Sequence, residues 1–438
     1  MKAARSLLIT LLCSIALVSA APLDLQDRDI AHLEARAAKA DPDTVVINKG
    51  KTHAGAAYFI TNEPKGNYVV VADLMTNGKI TYSRAVATRG RGAHGITTPN
   101  GPDPLFSQGA IKASTTGNIL ATVNAGSNTV SVFSIDPKDP VNIQQIGQPV
   151  GSGGEFPMSL AINKDGNTVC VLNGGSVNGV NCFSVDKTLG LMPKANTLRS
   201  LNLNQTTPAT GPAGSASHVI FSEDGASLIA SIKGTPTAQG YLAIWDVASD
   251  GSLSQNFRTI TPAAGGNLPF SLTNIPGKNA LFATDASIGF DIFDISTLKT
   301  ANAASLASGR NSANAIKGQM ATCWSSFSSQ TGNFYVTDIG TSTVTEIKVD
   351  DNLKPTIVKQ YPQRKGAATI DNDVVTLNKK DFLYVLAPNS TSVEVVQLNG
   401  SGKASNVGHF SFAKVAKRVG VTVSAENLQG MTTFPKQQ

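Results

Sequence analysis

The sequence has few of the features on which nucleic-acid-binding, metal-binding and membrane-spanning proteins depend. Charged residues make up 15% of the 438 residues, and the net charge of +6 is too small and too dispersed to indicate binding to nucleic acid. The histidines are too far apart in the sequence to form a metal site. Beyond residues 1–20, no apolar run approaches the roughly 20 residues of a membrane-spanning helix. We therefore expect no metal, no cofactor, no nucleic acid and no membrane partner.

Two enzyme motifs are absent or incomplete. Gly-x-Ser-x-Gly does not occur, which argues against a serine hydrolase with a nucleophile elbow. Gly90, Gly92 and Gly95 do spell Gly-x-Gly-x-x-Gly, but the next residues are Ile-Thr-Thr-Pro. A dinucleotide site needs a helix N-terminus at that point to hold the pyrophosphate. We therefore reject a dinucleotide-binding interpretation of these glycines.

The beginning of the chain has the pattern of a secretory leader. Lys2 and Arg5 precede an apolar run at residues 7–18, and small residues follow as far as Ala20. The predicted division of the chain is a signal peptide at residues 1–20, a charged, alanine-rich propeptide or flexible arm at 21–43 and a single domain at 44–438. We expect a monomer that is secreted and remains extracellular or in the cell wall.

A pattern of strand, polar residue, turn and strand recurs along the chain. Its clearest copy, NILATVNAGSNTVSVFSID at residues 118–136, is rich in β-branched residues on both sides of an Asn/Gly turn. Copies aligned on the residue that ends the first strand are marked by Asp73, Asn124, Asn173, Lys233, Asp285, Asp338 and Ala387. The Asp and Asn marks are interpreted as turn formers rather than as paired catalytic carboxylates.

A period of about fifty residues without helical patterns between the units is typical of a β-propeller. We predict an all-β, seven-bladed propeller with four-stranded antiparallel blades. Each unit is expected to open with its inner strand, and the first of these is placed at residues 56–61. Two spare pieces, 44–48 and 419–434, are predicted to close the ring, and the sequence does not indicate which blade receives which.

Three cysteines follow the predicted leader, which itself contains Cys13. Cys170 and Cys182 face each other across a predicted hairpin, where antiparallel neighbours come within disulfide distance. Such a bridge agrees with an exported protein. Cys323 remains unpaired, and its apolar and aromatic neighbours favour a buried thiol over a reactive one.

Glycine- and proline-rich connectors precede almost every predicted inner strand, and in a propeller such connectors share one face around the mouth of the channel. We expect a small-molecule site there. His218 begins a predicted inner strand and is either a general acid or base or a hydrogen-bonded packing residue. The other candidates for contact with a small anion, all placed before or at the start of inner strands, are Arg91, His94, Glu155, Arg310 and Trp324.

The units around ILATVNAGSNTVSVFSID and SHVIFSEDGASLIA resemble the seven-bladed lactonase family, over about residues 55–435. That family includes 6-phosphogluconolactonase and the fungal 3-carboxy-cis,cis-muconate lactonizing enzyme. The resemblance is greatest to a secreted, glycosylated fungal branch that is described as carboxymuconate cyclase-like and is known chiefly for surface antigens. It implies a seven-bladed fold and, in the enzymes, metal-independent opening or closing of a lactone.

The enzymes of this family usually carry Arg-His at the matching strand start and Asn-Glu at the hairpin after the next strand. Here the two positions read Ser217-His218 and Ile232-Lys233. The histidine is retained, whereas the arginine and the carboxylate are missing, although lactone chemistry needs a cation for the carboxylate and a proton donor or acceptor. We therefore favour a binding or antigenic surface protein, whose ligand is a small anionic or lactone-like molecule or a host or cell-wall macromolecule. The alternative is a lactonase or muconate-cycloisomerase-type enzyme.

Three Asn-x-Ser/Thr sequons, at Asn204, Asn389 and Asn399, lie in predicted loops. If the chain is exported by a eukaryotic cell, at least one of them should carry an N-linked glycan. Treatment of the native protein with a peptide amidase that removes such glycans should increase its gel mobility. An unchanged mobility would contradict this prediction.

Overall fold

The computed structural model describes residues 44–46, 53–296 and 310–437, with only the backbone of the first of these segments. The predicted signal peptide, its Cys13 and the propeptide or arm at 21–43 lie outside the described residues. Seven antiparallel sheets of four or five strands surround a central channel. The prediction of an all-β, seven-bladed propeller with four-stranded blades is confirmed.

Blade 1 contains the first strands of the chain and one strand from near its C-terminus. Its strands are β1 (Thr44–Val46), β2 (His53–Ile60), β3 (Tyr68–Met75), β4 (Ile80–Ala87) and β31 (Gln429–Pro435). Blade 2 consists of β5 (Ile111–Ser114), β6 (Ile119–Asn124), β7 (Thr129–Ile135), β8 (Ile143–Gln145) and the short β9 (Val150–Gly151). Blade 3 consists of β10 (Pro157–Ile162), β11 (Thr168–Asn173), β12 (Gly179–Asp186), β13 (Gly190–Pro193) and β14 (Arg199–Ser200).

The other four blades each have four strands in sequence order, from the channel outward. Blade 4 has β15 (Ala216–Phe221), β16 (Ser227–Ile232), β17 (Tyr241–Asp246) and β18 (Arg258–Ile260). Blade 5 has β19 (Pro269–Asn274), β20 (Ala280–Asp285), β21 (Gly289–Asp294) and β22 (Ser312–Ala315). Blade 6 has β23 (Thr322–Ser328), β24 (Asn333–Asp338), β25 (Thr343–Val349) and β26 (Pro355–Pro362).

Blade 7 leads back to the strand that closes the ring. Its strands are β27 (Asn372–Leu377), β28 (Lys380–Ala387), β29 (Ser392–Leu398) and β30 (Ala404–Ser411), with a 3-10 turn at Pro388–Ser390. The short helix α1 (Ala413–Arg418) follows β30 and precedes β31. None of the helices in the described part of the chain is long and apolar enough to cross a bilayer.

Strand β31 is the innermost strand of blade 1. It pairs with β2 from Gly55 opposite Pro435 to Ile60 opposite Gln429, and β1 pairs with the outer strand β4. Both spare pieces of the sequence therefore join blade 1. The prediction of an inner strand at 56–61 is wrong, because β31 occupies the inner position and makes β2 the second strand. Asp73 therefore lies in the third strand of this blade. The residue that corresponds to the marks of the other blades is Asn62.

The hydrophobic core lies mainly between neighbouring blades. Phe282 of blade 5 stacks on Phe334 of blade 6 with ring centroids 4.6 Å apart. Phe270 meets Trp324 edge-on across the same pair of blades, at 5.1 Å. All four side chains are buried. Such offset and edge contacts between aromatic rings add to the stabilisation from burial and fix the angle between blades.

The polar marks that end the second strands are buried and hold loops. The Asp338 carboxylate accepts hydrogen bonds from the backbone N–H groups of Met320, Gly340 and Thr341. Asn124 accepts from Thr88 Oγ1 and donates to Ser131 Oγ. The bonds of Asp338 agree with the turn-forming interpretation, since they tie the turn after its strand and a connector to the blade. The interpretation is wrong for Asp73, which lies within β3 and pairs with His53.

The cysteines behave as predicted. Cys170 in β11 lies opposite Cys182 in β12, and the two form a disulfide with Cα atoms 4.0 Å apart. Cys323 is buried and forms no disulfide. No group of three or more His, Cys, Asp or Glu side chains that could hold a metal ion occurs within the residues described.

Two carboxyl groups of blade 5 lie buried near each other. Asp285 accepts the N–H groups of Asn267 and Leu268 with one oxygen and that of Ser287 with the other. Asp291 is also fully buried, and neither of its oxygens has a hydrogen-bond partner among the described residues. Burial, followed by the nearby Asp285, raises the pKa of Asp291 well above its usual value. The folded state therefore favours the neutral acid at Asp291.

We predict that Asp291→Asn stabilises the protein. The variant removes a buried group that is ionised in the unfolded state at neutral pH, and each unit by which folding raises its pKa corresponds to about 1.4 kcal/mol. Because the pKa of Asp291 is raised by folding, the wild type loses stability as pH rises from about 4 through the folded-state pKa, and asparagine does not titrate. Thermal unfolding at several pH values should show a gain that grows with pH.

The matched control is Asp285→Asn, which removes acceptor capacity from a carboxylate that holds a connector. It should lower the melting temperature at neutral pH. Equal melting temperatures of wild type and Asp291→Asn at every pH would contradict the prediction.

Candidate functional site

The channel has two unequal ends. The connectors that join one blade to the next reach the inner strands at one end, which we call the connector face. The turns that lead from the inner to the second strands, such as residues 222–226 and 275–279, lie at the other end, which we call the hairpin face. Inner strands therefore begin at the connector face and end at the hairpin face.

One connector closes the channel at the connector face. Residues 103–109, between blades 1 and 2, are all buried, and we call this segment the plug. Its Asp103 and Phe106 have φ angles of 72° and 54°, in the left-handed region that non-glycine residues rarely adopt. Each such residue costs on the order of 1 kcal/mol or more, so the surrounding contacts must hold the plug in place.

The strongest of these contacts comes from Lys233. Its buried Nζ donates hydrogen bonds to the carbonyl oxygens of Phe106 and Ala216, both at 2.8 Å, and to Ser217 Oγ at 2.5 Å. The ammonium also lies 4.8 Å from the ring centroid of Phe270. Ser217 Oγ donates to the same Phe106 oxygen at 3.1 Å. A buried ammonium thus clamps the plug to blade 4.

Further hydrogen bonds attach the plug to the far side of the ring. In blade 6, Trp324 Nε1 donates to the Ser107 carbonyl at 3.0 Å. The Gln108 side chain pairs with the backbone of Ser325, donating to its carbonyl at 3.0 Å and accepting its N–H at 3.1 Å. In blade 1, Gln429 Nε2 donates to Asp103 Oδ1 at 2.8 Å. The plug therefore spans the channel.

A pocket of about 250 Å³ lies in the channel beyond the plug. Its lining residues near the beginnings of inner strands, such as Gln108, His218 and Asn372, are buried, whereas Ile220, Asn274 and Phe327, at or next to the strand ends, are half-buried. Lys112, in β5, is also half-buried. The exposure thus increases toward the hairpin face. We conclude that the pocket opens on the face opposite to the connectors.

Lys112 supplies the pocket with a positive charge. Its ammonium has no hydrogen bond or ion pair within the described residues, although its charge opposes the rise that burial causes in the pKa values of Asp371 and Asp373. The other polar side chains that line the pocket are Gln108, His218, Thr273, Asn274, Ser325, Ser326, Asn372 and Asp373. An unpaired ammonium beside amide and hydroxyl groups is suited to an anion that also carries hydroxyl groups.

His218 is held in one tautomer. The backbone N–H of Leu272 donates to its Nδ1 at 2.9 Å, so this nitrogen must be unprotonated. Burial, with a smaller effect of Lys112, lowers the pKa of His218 well below its usual value. The ring is therefore neutral and its proton lies on Nε2, a donor that has no partner among the described residues. The geometry supports hydrogen-bond donation by His218 and not the role of a general base through Nε2.

Gly109 makes room for this ring where the plug passes it. A Cβ atom at Gly109 would lie 2.9 Å from His218 Nε2 and 2.9 Å from Ser159 Oγ, and the φ angle of 84° also favours glycine. Any other residue at this position would collide with the histidine.

We predicted that six candidate residues share one opening. This prediction is wrong for Trp324, His218 and Arg310. Trp324 is completely buried and bonded to the plug, which itself separates His218 from the connector face. Arg310 precedes β22, an outer strand of blade 5, and not an inner strand as predicted. It pairs with Asp294, which ends β21, at 2.7 Å on the hairpin face.

The other three candidates do lie in connectors. Arg91 is exposed, and both ring nitrogens of His94 are within hydrogen-bond distance of carbonyl oxygens, those of Gly95 and Gly101. Glu155 accepts a hydrogen bond from Thr207. Their role in ligand binding stays a prediction.

The sequence interpretation missed Lys112 and the plug. The alternation of side chains along a strand indicates the position of Lys112 in the pocket only when the exact boundaries of the inner strand are known. The plug had a visible signal, because the connector between β4 and β5 covers residues 88–110 and is longer than a turn between strands requires.

All three sequon asparagines are exposed. The side-chain nitrogen of Asn389 donates to the Gly366 carbonyl and that of Asn399 to Ser405 Oγ, both at 3.1 Å. The Asn204 side chain makes no hydrogen bond within the described residues. Asn204 is therefore the most accessible of the three predicted glycan sites.

Comparison with known proteins agrees with this architecture. The family described as "Lactonase, 7-bladed beta-propeller" matches residues 52–200, which cover strands β2 to β4 of blade 1 and all strands of blades 2 and 3. No curated protein matches the sequence. The resemblance to lactonase-like propellers is confirmed, while secretion and the fungal branch stay predictions.

Similar solved structures extend the match to nearly the whole ring. The periplasmic gluconolactonase of Pseudomonas aeruginosa has a TM-score of 0.60 at 16% identity, over 88% of this chain and 100% of that chain. A protein assigned as a 6-phosphogluconolactonase from Bacteroides fragilis has a TM-score of 0.57 at 13% identity, over 88% and 99%. A protein from Lactobacillus plantarum has a TM-score of 0.57 at 15% identity, over 87% and 99%. At these identities the likeness shows the fold alone.

We predict that Lys233→Met loosens the plug. The substitution removes a charged donor from the Phe106 carbonyl, and hydrogen bonds to charged groups contribute about 1.5–3 kcal/mol each. Amide hydrogen exchange of residues 103–109 should accelerate, and Trp324 fluorescence should shift because its ring is bonded to the plug.

Ser217→Ala is the graded control, since it removes a neutral donor from the same oxygen and one acceptor from the Lys233 ammonium but leaves the ammonium in place. It should have a smaller effect in the same direction. Unchanged exchange of the plug in Lys233→Met would show that the clamp is not what holds it.

Proposed function

We propose that this protein is an exported, lactonase-like propeller that binds a small carboxylate-bearing or lactone-like ligand in its channel pocket, without the lactone chemistry of the enzymes it resembles. The observation that carries the proposal is the ammonium of Lys112, which has no hydrogen bond or ion pair among the described residues, in a pocket that is also lined by hydroxyl and amide side chains and by His218. A carboxylate or a lactone carbonyl is a group that this ammonium would bind.

The tautomer of His218 supports binding over catalysis. General-base catalysis needs a lone pair directed at the substrate, and the lone pair of this neutral ring is on Nδ1, which already accepts the Leu272 N–H. Nε2–H is a donor that is buried against Gly109 of the plug, so it presents no lone pair to a substrate either.

The two departures from the enzyme pattern support the same conclusion. Ser217 and Lys233 stand where the related enzymes carry arginine and glutamate, and both bond the Phe106 carbonyl oxygen of the plug. The positions that would supply a cation and a carboxylate to a substrate therefore serve to close the connector face.

We place the protein outside the cell or in the cell wall, as a glycoprotein that works as a monomer. This location is supported by the leader-like pattern at residues 1–20 and by the Cys170–Cys182 bridge, which suits an oxidising compartment. Its ligand would then come from the medium or from a host or cell-wall macromolecule. The resemblance to secreted fungal antigens agrees with this placement.

We predict that the protein binds gluconate, a small hydroxylated carboxylate, and that Lys112→Met weakens the binding by about tenfold or more, because a charge-assisted bond is lost. His218→Phe keeps an aromatic ring but removes the buried acceptor of the Leu272 N–H beside the pocket, and should weaken binding by about threefold to tenfold. Isothermal titration calorimetry measures both effects.

The matched control is Lys187→Met, at an exposed lysine outside the pocket, which should bind like the wild type. The same preparations should be tested for hydrolysis of glucono-1,5-lactone and for cyclisation of a muconate. Turnover by the wild type that is lost in His218→Phe would overturn the binding proposal in favour of a lactonase or cycloisomerase.

A further inference from the structure

One ammonium in the pocket lies near two carboxyl groups, those of the buried Asp371 and the half-buried Asp373, which lie just before and within β27. Burial raises the pKa values of both acids, and the charge of Lys112, in β5, opposes this rise. Strand β31 lies between β5 and β27 in the inner ring and hydrogen-bonds both carboxyl groups. Asp103, which interacts with Asp371, and Lys233 add one further acid and one further base, so the acids outnumber the bases even before a ligand binds.

Asp371 is the less satisfied of the two acids. Its Oδ2 accepts the Gly430 N–H at 2.9 Å, and its Oδ1 has no partner among the described residues, although the side chain is buried. Burial raises the pKa of Asp371 to about 7, with the Gly430 bond and Lys112 opposing the rise. Its unpaired oxygen can carry a proton without losing an existing hydrogen bond.

Asp373 is, by contrast, fully hydrogen-bonded as a carboxylate. Its Oδ2 accepts from Thr433 N at 2.7 Å and from Thr433 Oγ1 at 2.9 Å, and its Oδ1 accepts the Val374 N–H at 3.0 Å. Protonation of Asp373 would compete with these donors. Burial raises its pKa as well, but its bonds favour the charged form.

The remaining titratable groups around Asp371 are occupied by the plug or are neutral. Asp103 accepts hydrogen bonds from Gln429 and Ser107, and burial raises its pKa well above the usual value. Lys233 is bonded to plug and strand oxygens. His218 is neutral because burial lowers its pKa. Asp371 is therefore the group best placed to change its protonation when the pocket is filled.

We propose that the pocket takes up its anion together with a proton, and that Asp371 receives this proton. The inference rests on the proposed function. An anion bound to Lys112 leaves that ammonium shared among the ligand and two carboxylates in a poorly hydrated channel. Protonation of Asp371 offsets the added negative charge. The proton is received by Oδ1, the oxygen to which no group donates. The ligand class is thus a small acid that binds, in effect, in its neutral form.

The direction of the pH dependence follows from linkage. A bound anion raises the pKa of Asp371 further, so binding takes up a proton at pH values between the pKa in the free protein and the higher pKa in the complex. Affinity should therefore increase by about threefold to tenfold as pH falls from about 9 to about 7. It should level off below about pH 7, where Asp371 is already protonated in the free protein.

The test is calorimetric titration of the whole protein with gluconate, at several pH values and in two buffers whose heats of ionisation differ. A heat that depends on the buffer at about pH 8 measures proton uptake directly and needs no variant. Asp371→Asn keeps the acceptor for Gly430 and cannot take up a proton, so it should bind without buffer dependence and with an affinity that does not change with pH. Asp373→Asn should still take up the proton.

The outcomes separate this inference from the proposed function. Failure of the wild type to bind gluconate at any pH would overturn the proposed function. Binding without proton uptake would overturn the inference alone. Proton uptake that persists in Asp371→Asn and disappears in Asp373→Asn would also overturn it, by assigning the proton to the other carboxyl group.

Discussion

Insertion of β31 between β27 and β5 is the interaction on which both the ring and the pocket depend. The strand closes blade 1 by pairing with β2 over most of its length. The same strand supplies the groups that hold the channel interior: Gln429 bonds the plug, Gly430 donates to Asp371 and Thr433 donates to Asp373. Ring closure and the electrostatics of the pocket therefore have one structural cause.

The plug and the pocket divide the channel into two ends of different character. At the connector face, a strained segment is held by the buried ammonium of Lys233 and by side chains from opposite sides of the ring. At the hairpin face, Lys112 remains without an ion-pair partner within the described part of the chain. A propeller whose connector face is closed in this way can still bind small molecules, but it must admit them from the other end.

The number of blades, the strand pattern and the Cys170–Cys182 bridge could be predicted because they depend on local periodicity and on hairpin spacing. The assignment of blade 1 could not, because nothing near β2 shows that its inner neighbour is β31. Arg310 was misplaced for a similar reason: SANA at Ser312–Ala315 has the composition of a connector but forms an outer strand.

The pocket was harder to predict than the fold. His218 could be placed in the channel from its position in an inner strand, but its buried state and its tautomer depend on Leu272 and Gly109, which are distant in sequence. The plug depends on Lys233, which looks like a degenerate repeat mark in the sequence. Contacts between residues far apart in the chain decide which connector fills the channel and which face stays open.

Strand β31 is synthesised long after its partner β2, and this affects how the chain can fold during synthesis. Asn427, next to β31, contacts Glu63, next to β2, across 364 residues of sequence. At about 5–20 residues per second, β2 waits some tens of seconds for its partner during synthesis. Until then its apolar edge, HAGAAYFI, is an open template for pairing with other chains. The first blade is thus the segment of the nascent protein that most needs a chaperone. In the finished ring, β2 is paired with β3 on one side and with β31 on the other.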